Sequence, residues 1–401
     1  MGVASVLAKS REFLHSSRMP SCDIVTDSAA LQALCLTLSG SSAIALDTEF
    51  LRESTYRAEL CLLQIAAGGV ICAVDPLTLP SLQPLAQIMG HAGITKVLHA
   101  GRQDFEVLAD VAPVLGPVFD TQIAAALCGF PAQIGYADLV QQLLGVTLAK
   151  SATRTDWSRR PLSAVQLDYA LDDVRYLLPL RDLLLARIDK LGRRAWLDED
   201  LALATDPARL AIDPEKIWRR VRGLGELDPA RLRLARALGA WREQRAIARN
   251  RPRGWILHDD AVRDIVHQVP RNGTQLAALS SIPQGVASAC GNELLALVRA
   301  AEVSDPPPPL PRRARPDPAF TAQVQRLSAI IQAHARELEL APEILATRRD
   351  LEDLARGDDQ ALRGWRRALL AADCHATIGT GPTGAIAAAL QSAPAPTPDA
   401  A

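Results

Sequence analysis

The chain has 401 residues, 48% hydrophobic and 22% charged, with a formal net charge of −1 at pH 7. This is the make-up of a globular protein long enough for two or three domains, and it excludes a fibrous or low-complexity chain. No apolar run reaches membrane-spanning length, the first twenty residues lack a secretory signal pattern, and seven cysteines without a C-x-x-C pair suit free thiols in a reducing cytoplasm.

Residues 1–20 read as an N-terminal extension, and a mixed α/β pattern runs from 21 to 192. SSAIALDTEF reads as a strand that ends in Asp47 and Glu49. Side chains alternate faces along a strand, so both carboxylates point the same way. Like charges side by side raise each other's pKa and need a positive partner. Residues 41–51 contain no Lys or Arg, so a divalent cation is the candidate partner. ELCLLQIAA and VICAVDP flank Gly68-Gly69 and read as a hairpin, which makes an antiparallel meander of three strands.

KVLHA followed by GRQDFEVLADV, and PVFDTQIAAALCG after it, read as two βα units with parallel strands. Asp104 falls in the first turn of the first helix. Asp120 is either an extra polar group near the site or, as FDTQIAAAL favours, the cap of the second helix. PLSAVQLDYALDDVRYLLPLRDLLLARI reads as one long helix on which Tyr169 and Asp173, four apart, share a face. An Asp facing a Tyr phenol beside an Asp-x-Glu strand can hold metal ions and orient a water. Ligation by carboxylates without His or Cys favours Mg²⁺ or Mn²⁺ over zinc. Singly, each piece has a plainer reading: a solvated strand edge, a helix N-terminal charge, a half-buried aromatic. Their joint occurrence in suitable elements points to a site.

Beyond residue 192 the pattern is helical, with one unit at 210–302. Residues 216–253 hold Lys216 and eleven Arg against Glu226, Asp228 and Glu243, a local excess of nine positive charges. Such a segment can neutralise phosphates, which the near-neutral total conceals. Residues 303–318 read as a proline-rich spacer, residues 319–378 as further helices, and residues 379–401 as a low-complexity, disordered tail.

DTEF, HAGRQD and YALDD resemble the three motifs of the DEDD superfamily of 3′–5′ exonucleases in its tyrosine variant, which carries Tyr-x-x-x-Asp. The sister variant has a His five residues before the last Asp; here that position is Asp168. Trp157, Arg160, Pro161 and Leu162 resemble the W-x-x-R-P-L signature of the ribonuclease D family. Trp241-Arg242-Glu243, Arg251-Pro252 and ILHDDAV resemble an HRDC domain, and residues 319–378 a diverged second HRDC-like repeat. The resemblance implies an α/β ribonuclease H-like exonuclease domain, a mixed sheet flanked by helices, followed by all-α HRDC-like domains.

It further implies hydrolysis with two divalent ions, Mg²⁺ or Mn²⁺. Asp47 would bridge both ions, Glu49 and Asp173 would complete one site, Asp104 would hold the second, and Tyr169 would orient the attacking water. An ordinary phenol, with a pKa near 10, is a poor base at neutral pH, hence the orienting role. Phe50, Gln64, His99, Lys150, Trp157 and Arg160 are candidate substrate contacts. Lys150 and Arg160 would meet phosphate, and Phe50 and Trp157 would stack or wedge. Core or packing roles remain open alternatives for Phe50, Gln64, His99 and Trp157. The expected activity is release of nucleoside 5′-monophosphates from the 3′ ends of structured RNAs such as tRNA precursors, by a monomer. The alternatives are a DNA-directed exonuclease of the same superfamily and a catalytically silent nucleic-acid binder. Retention of all four acids and the tyrosine argues against the silent form.

Overall fold

The computed structural model describes residues 24–379 apart from 68, 113–114, 150–154, 211–212, 215, 225–226, 304–316 and 359. The expected N-terminal extension, nearly all of the proline-rich spacer and the tail lie outside the described residues. The α/β part runs β1 (Ile24–Val25), α1 (Ser28–Ser39), β2 (Ala43–Leu51), β3 (Glu59–Ala67), β4 (Val70–Val74), α2 (Gln83–Gly90), β5 (Thr95–Leu98), α3 (Arg102–Leu108), β6 (Val118–Asp120), α4 (Thr121–Leu127), α5 (Tyr136–Leu144), α6 (Ala164–Arg175), α7 (Leu177–Lys190) and α8 (Arg194–Ala204).

The six strands are ordered β1-β4-β3-β2-β5-β6. The meander β2–β3–β4 is antiparallel, and β5 and β6 add to β2 in parallel. The sequence pattern did not reveal β1, a two-residue edge strand parallel to β4. Both faces of the sheet are covered, so the inner strands are apolar on both sides. Ile44, Leu46, Leu63 and Ile65 pack with Leu31, Leu85 and Phe105 of α1, α2 and α3. Ala43, Ala45 and Ala66 face the other way, against Leu127 of α4 and Leu180 and Leu184 of α7.

The long helix expected over 161–188 is two helices, α6 and α7, broken at Tyr176. Pro179 explains the break: it lacks an N–H, and its ring clashes with the carbonyl four residues back, that of Arg175. The Tyr136 hydroxyl fills the gap, donating to the Asp172 carbonyl at 2.9 Å and accepting the Tyr176 N–H at 3.2 Å.

After α9 (Pro207–Leu210) and a 3₁₀ turn at Ile217–Arg220 come α10 (Pro229–Arg249), α11 (Arg253–Ile256), α12 (Asp259–Gln268), α13 (Gly273–Ala277) and α14 (Gln284–Val303). They enclose a core of their own around Trp218, Leu238, Val262 and Leu294. This unit meets the β2–β3 hairpin through polar bonds. Asn250, left-handed at the end of α10, accepts the Tyr56 and Arg57 N–H groups at 3.1 Å each. Arg251 donates to the Ser54 carbonyl at 3.1 Å, and the Tyr56 hydroxyl donates to Glu243.

The last helices, α15 (Pro318–Glu337), α16 (Pro342–Leu345), α17 (Arg348–Ala355) and α18 (Gly364–Gly379), behave differently. Leu327, Ile331, Leu345 and Trp365 join Leu127, Leu184 and Leu197 in one continuous cluster with the α/β part. Trp365 stacks on Trp196 of α8, with centroids 4.2 Å apart and planes 7° from parallel. Arg366 lies 4.2 Å over the Trp365 ring and pairs with both Asp200 oxygens at 2.6 and 3.0 Å. Only glycine fits at Gly364, where φ is +52° and a Cβ would fall 1.4 Å from a Glu199 oxygen.

Candidate active site

Asp47 and Glu49 leave the sheet at the carboxyl end of β2, on the face covered by α6 and α7. Immediately after Glu49 the pairing with β3 slips by a β-bulge, a distortion that re-aims side chains beside active sites. Asp173 comes from α6, whose start is fixed by a capping box between Ser163 and Gln166. The three acids can each turn a carboxylate oxygen to a common point, all within 4.8 Å of one another.

Thr48 points to the opposite face of β2, and its hydroxyl donates to the buried Asp104 carboxylate on α3. Asp104 is therefore not one of the close trio, but it is its charged neighbour. The loop before α3 is pinned by Asp120, which accepts N–H groups from Ala100 and Gly101 at 3.0 and 2.9 Å as well as capping α4 through Gln122 at 2.8 Å. Asp120 thus takes the cap role and also positions the segment that carries Asp104.

Burial, followed by the charge of Asp173 and then of Asp104, pushes Glu49 up to about 8. Burial and then Asp172 push Asp173 to about 7. Asp47 is driven well above the ordinary carboxylate range by burial, then by Asp104, Asp173 and Glu49. The neighbouring charges that move this trio are all acidic. Hard oxygen donors crowded together, half out of water and, among the described residues, without a compensating base fit a divalent cation. Tyr169 lies one turn before Asp173, and burial plus the nearby acids raise its phenol to about 12.

Four of the other sequence candidates, Gln64, Trp157, Arg160 and His99, are placed less favourably for substrate contact. Gln64 is directly opposite Asp47 in the β2–β3 register but 0% exposed, with neither amide atom hydrogen-bonded, so it cannot touch a nucleotide. Trp157 is 5% exposed and packs against Tyr169 instead of offering an open stacking surface. Arg160 is taken up by the protein: it pairs with Asp75 at 2.5 and 2.7 Å and also donates to the Cys61, Trp157 and Arg159 carbonyls. It ties the 156–161 loop to the sheet and has no fork left for phosphate. His99 has both ring nitrogens engaged, Nδ1 with Thr121 at 2.9 Å and Nε2 with the Ile134 carbonyl at 3.0 Å. Phe50 is half-buried just past the bulge. Lys150 lies outside the described residues.

Thr48 and Tyr136 were missed in the sequence. Strand alternation held the signal for Thr48: between two acids aimed at one face, it must aim at the other, where Asp104 is. For Tyr136 no local signal exists, because its partners lie on α6 and at the break after it.

Residues 22–189 match the 3′–5′ exonuclease family, and residues 231–298 match the HRDC domain. Ribonuclease D of Granulibacter bethesdensis is 38% identical over 375 residues, covering 90% of this chain and 93% of its own. Ribonuclease D of Zymomonas mobilis is 38% identical over 368 residues, covering 88% and 93%. The crystal structure of Escherichia coli RNase D, described as an exoribonuclease involved in structured RNA processing, superposes with a TM-score of 0.80 at 30% identity. It covers 88% of this chain and 98% of that one.

Proposed function

Because the chain belongs to the ribonuclease D family and is a 3′–5′ exoribonuclease, we propose that it trims the 3′ ends of structured RNAs such as tRNA precursors. It releases nucleoside 5′-monophosphates and works as a monomer in the cytoplasm. The free thiols at Cys35, Cys61, Cys72, Cys128, Cys290 and Cys374 suit that compartment. Among the described residues, no helix is long and apolar enough to cross a membrane. The observation that carries the catalytic reading is the trio of Asp47, Glu49 and Asp173, with oxygens within 4.8 Å of one another.

We assign Asp47, Glu49 and Asp173, with Asp104 beside them, to holding two ions, Mg²⁺ or Mn²⁺. When bound, such ions supply Lewis-acid stabilisation of the phosphate and lower the pKa of a water to be used as nucleophile. Thr48 fixes the Asp104 carboxylate. Tyr169, with its phenol raised to about 12, stays protonated and donates or accepts a hydrogen bond without acting as a base. To Phe50, half-buried just after the bulge, we assign a wedge or stacking contact with the terminal base. The basic run at 216–253 holds the RNA body through phosphates, in a helical domain at 210–302 that follows the α/β domain at 21–192, whose core the helices at 319–378 share.

The test is a structured RNA labelled at its 5′ end. Stepwise shortening from the 3′ end in Mg²⁺, abolished by chelator and by Asp47→Ala, supports the reading. Internal cuts, or shortening unaffected by Asp47→Ala, would overturn it.

A further inference from the structure

Trp157, Trp218 and Trp365 are buried, whereas Trp255 on α11 is 63% exposed. A single exposed apolar residue needs no explanation by itself, but this one is held in place. The Arg251 guanidinium lies 5.8 Å from the Trp255 ring centroid while donating to the Ser54 carbonyl. One arginine thus orients the indole and fastens it to the hairpin that carries Asp47 and Glu49. The setting is open, since a side chain at Gly254 would meet nothing within 4 Å, and the Arg251 guanidinium puts a positive charge at the ring.

We propose that Trp255 is a stacking platform for an unpaired nucleobase of the RNA strand whose 3′ end enters the acidic cluster. This rests on the exoribonuclease reading above. Ser54 is five residues beyond Glu49, so the chain between them spans at most about 18 Å. With the two contacts through Arg251 added, the indole lies within roughly 30 Å of the carboxylates, a reach of up to about nine stacked nucleotides. A base on an indole gains affinity without base preference, since every base has a π-face, and the adjacent guanidinium meets the phosphate. The platform therefore serves any single-stranded tail, with duplex excluded because its bases are not free to stack.

The experiment uses the full chain in chelator, with a fluorescent RNA hairpin carrying a single-stranded 3′ tail, and reads Kd by anisotropy. Trp255→Ala weakens binding about tenfold, the roughly 1.4 kcal/mol of one stacked base, and Trp255→Phe restores most of it. A blunt hairpin without a tail binds both proteins alike. Equal Kd for wild type and Trp255→Ala on the tailed RNA overturns the proposal, as does a Phe variant no better than the Ala variant when both melt like wild type. Because Kd is read without hydrolysis, failure of the wild type to shorten RNA in Mg²⁺ would overturn the exoribonuclease reading and leave the Trp255 comparison standing.

Discussion

Trp157 underlies Tyr169, with ring centroids 6.4 Å apart and planes 26° from parallel. The signature tryptophan therefore acts on the site through the phenol it supports. Tyr169→Phe should lower kcat on the order of 10²-fold with KM little changed, because a misplaced nucleophile is the loss. Its pH–rate profile should keep the wild-type alkaline limb below pH 10, since a phenol raised to about 12 does not titrate there. Loss of that limb in the variant would show that the Tyr169 phenol titrates within the working range and must stay protonated for turnover.

Removing a carboxylate should separate activity from stability. Asp173→Asn should reduce kcat by about 10³-fold or more, several kcal/mol of lost charge stabilisation. In metal-free buffer the same variant should melt at a higher temperature than wild type, because it relieves like-charge crowding. Mg²⁺ should raise the melting temperature of wild type and leave that of the variant nearly unmoved.

The same crowding sets a pH dependence. Glu49 rises from an ordinary 4.5 to about 8 and Asp173 from 3.8 to about 7. Without metal, the folded protein thus keeps protons that the unfolded chain has released across that window. Stability is fully present below about pH 4 for these groups and falls as pH rises through 7 to 8. Urea titrations at pH 5 and pH 8 should show the drop, Glu49→Gln should reduce it, and saturating Mg²⁺ should flatten it.

The meander, the two βα units and the acids were legible because period-2 alternation and the βα rhythm are local. Asp47 and Glu49 could be given a common face from spacing alone. What spacing could not show was accessibility: Trp157 and Gln64 occupy polar-looking positions on a surface that α6 covers. Arg160 read as a phosphate ligand because its partner Asp75 is 85 residues away. The break at Tyr176 was recoverable, since Pro179 stood in the pattern and its clash with the Arg175 carbonyl is a general rule.

Phosphate contacts can be tested at the 3₁₀ turn. Arg220 and Arg222 are exposed. Their double replacement by alanine should weaken tailed and blunt RNA equally. The slope of log Kd against log salt should shrink by about 2, one for each lost phosphate contact. An unchanged slope would place the RNA elsewhere.

Trp365→Ala should destabilise the α/β part itself by about 3–5 kcal/mol, the cost of truncating a buried aromatic. Hydrogen exchange should report the loss in β5 and β6 as well as in α18. Exchange confined to α15–α18 would show two independent units.

That shared core bears on synthesis. As the polypeptide leaves the ribosome, the apolar surface that α4, α7 and α8 form with Leu127, Leu184 and Leu197 has no cover until Leu327, Ile331 and Trp365 follow. At about 5–20 residues per second the interval between Leu197 and Trp365 is on the order of 10–30 s. During it the nascent chain carries an apolar patch that invites chaperones or aggregation, so expression should respond more to holdase supply than the final stability suggests.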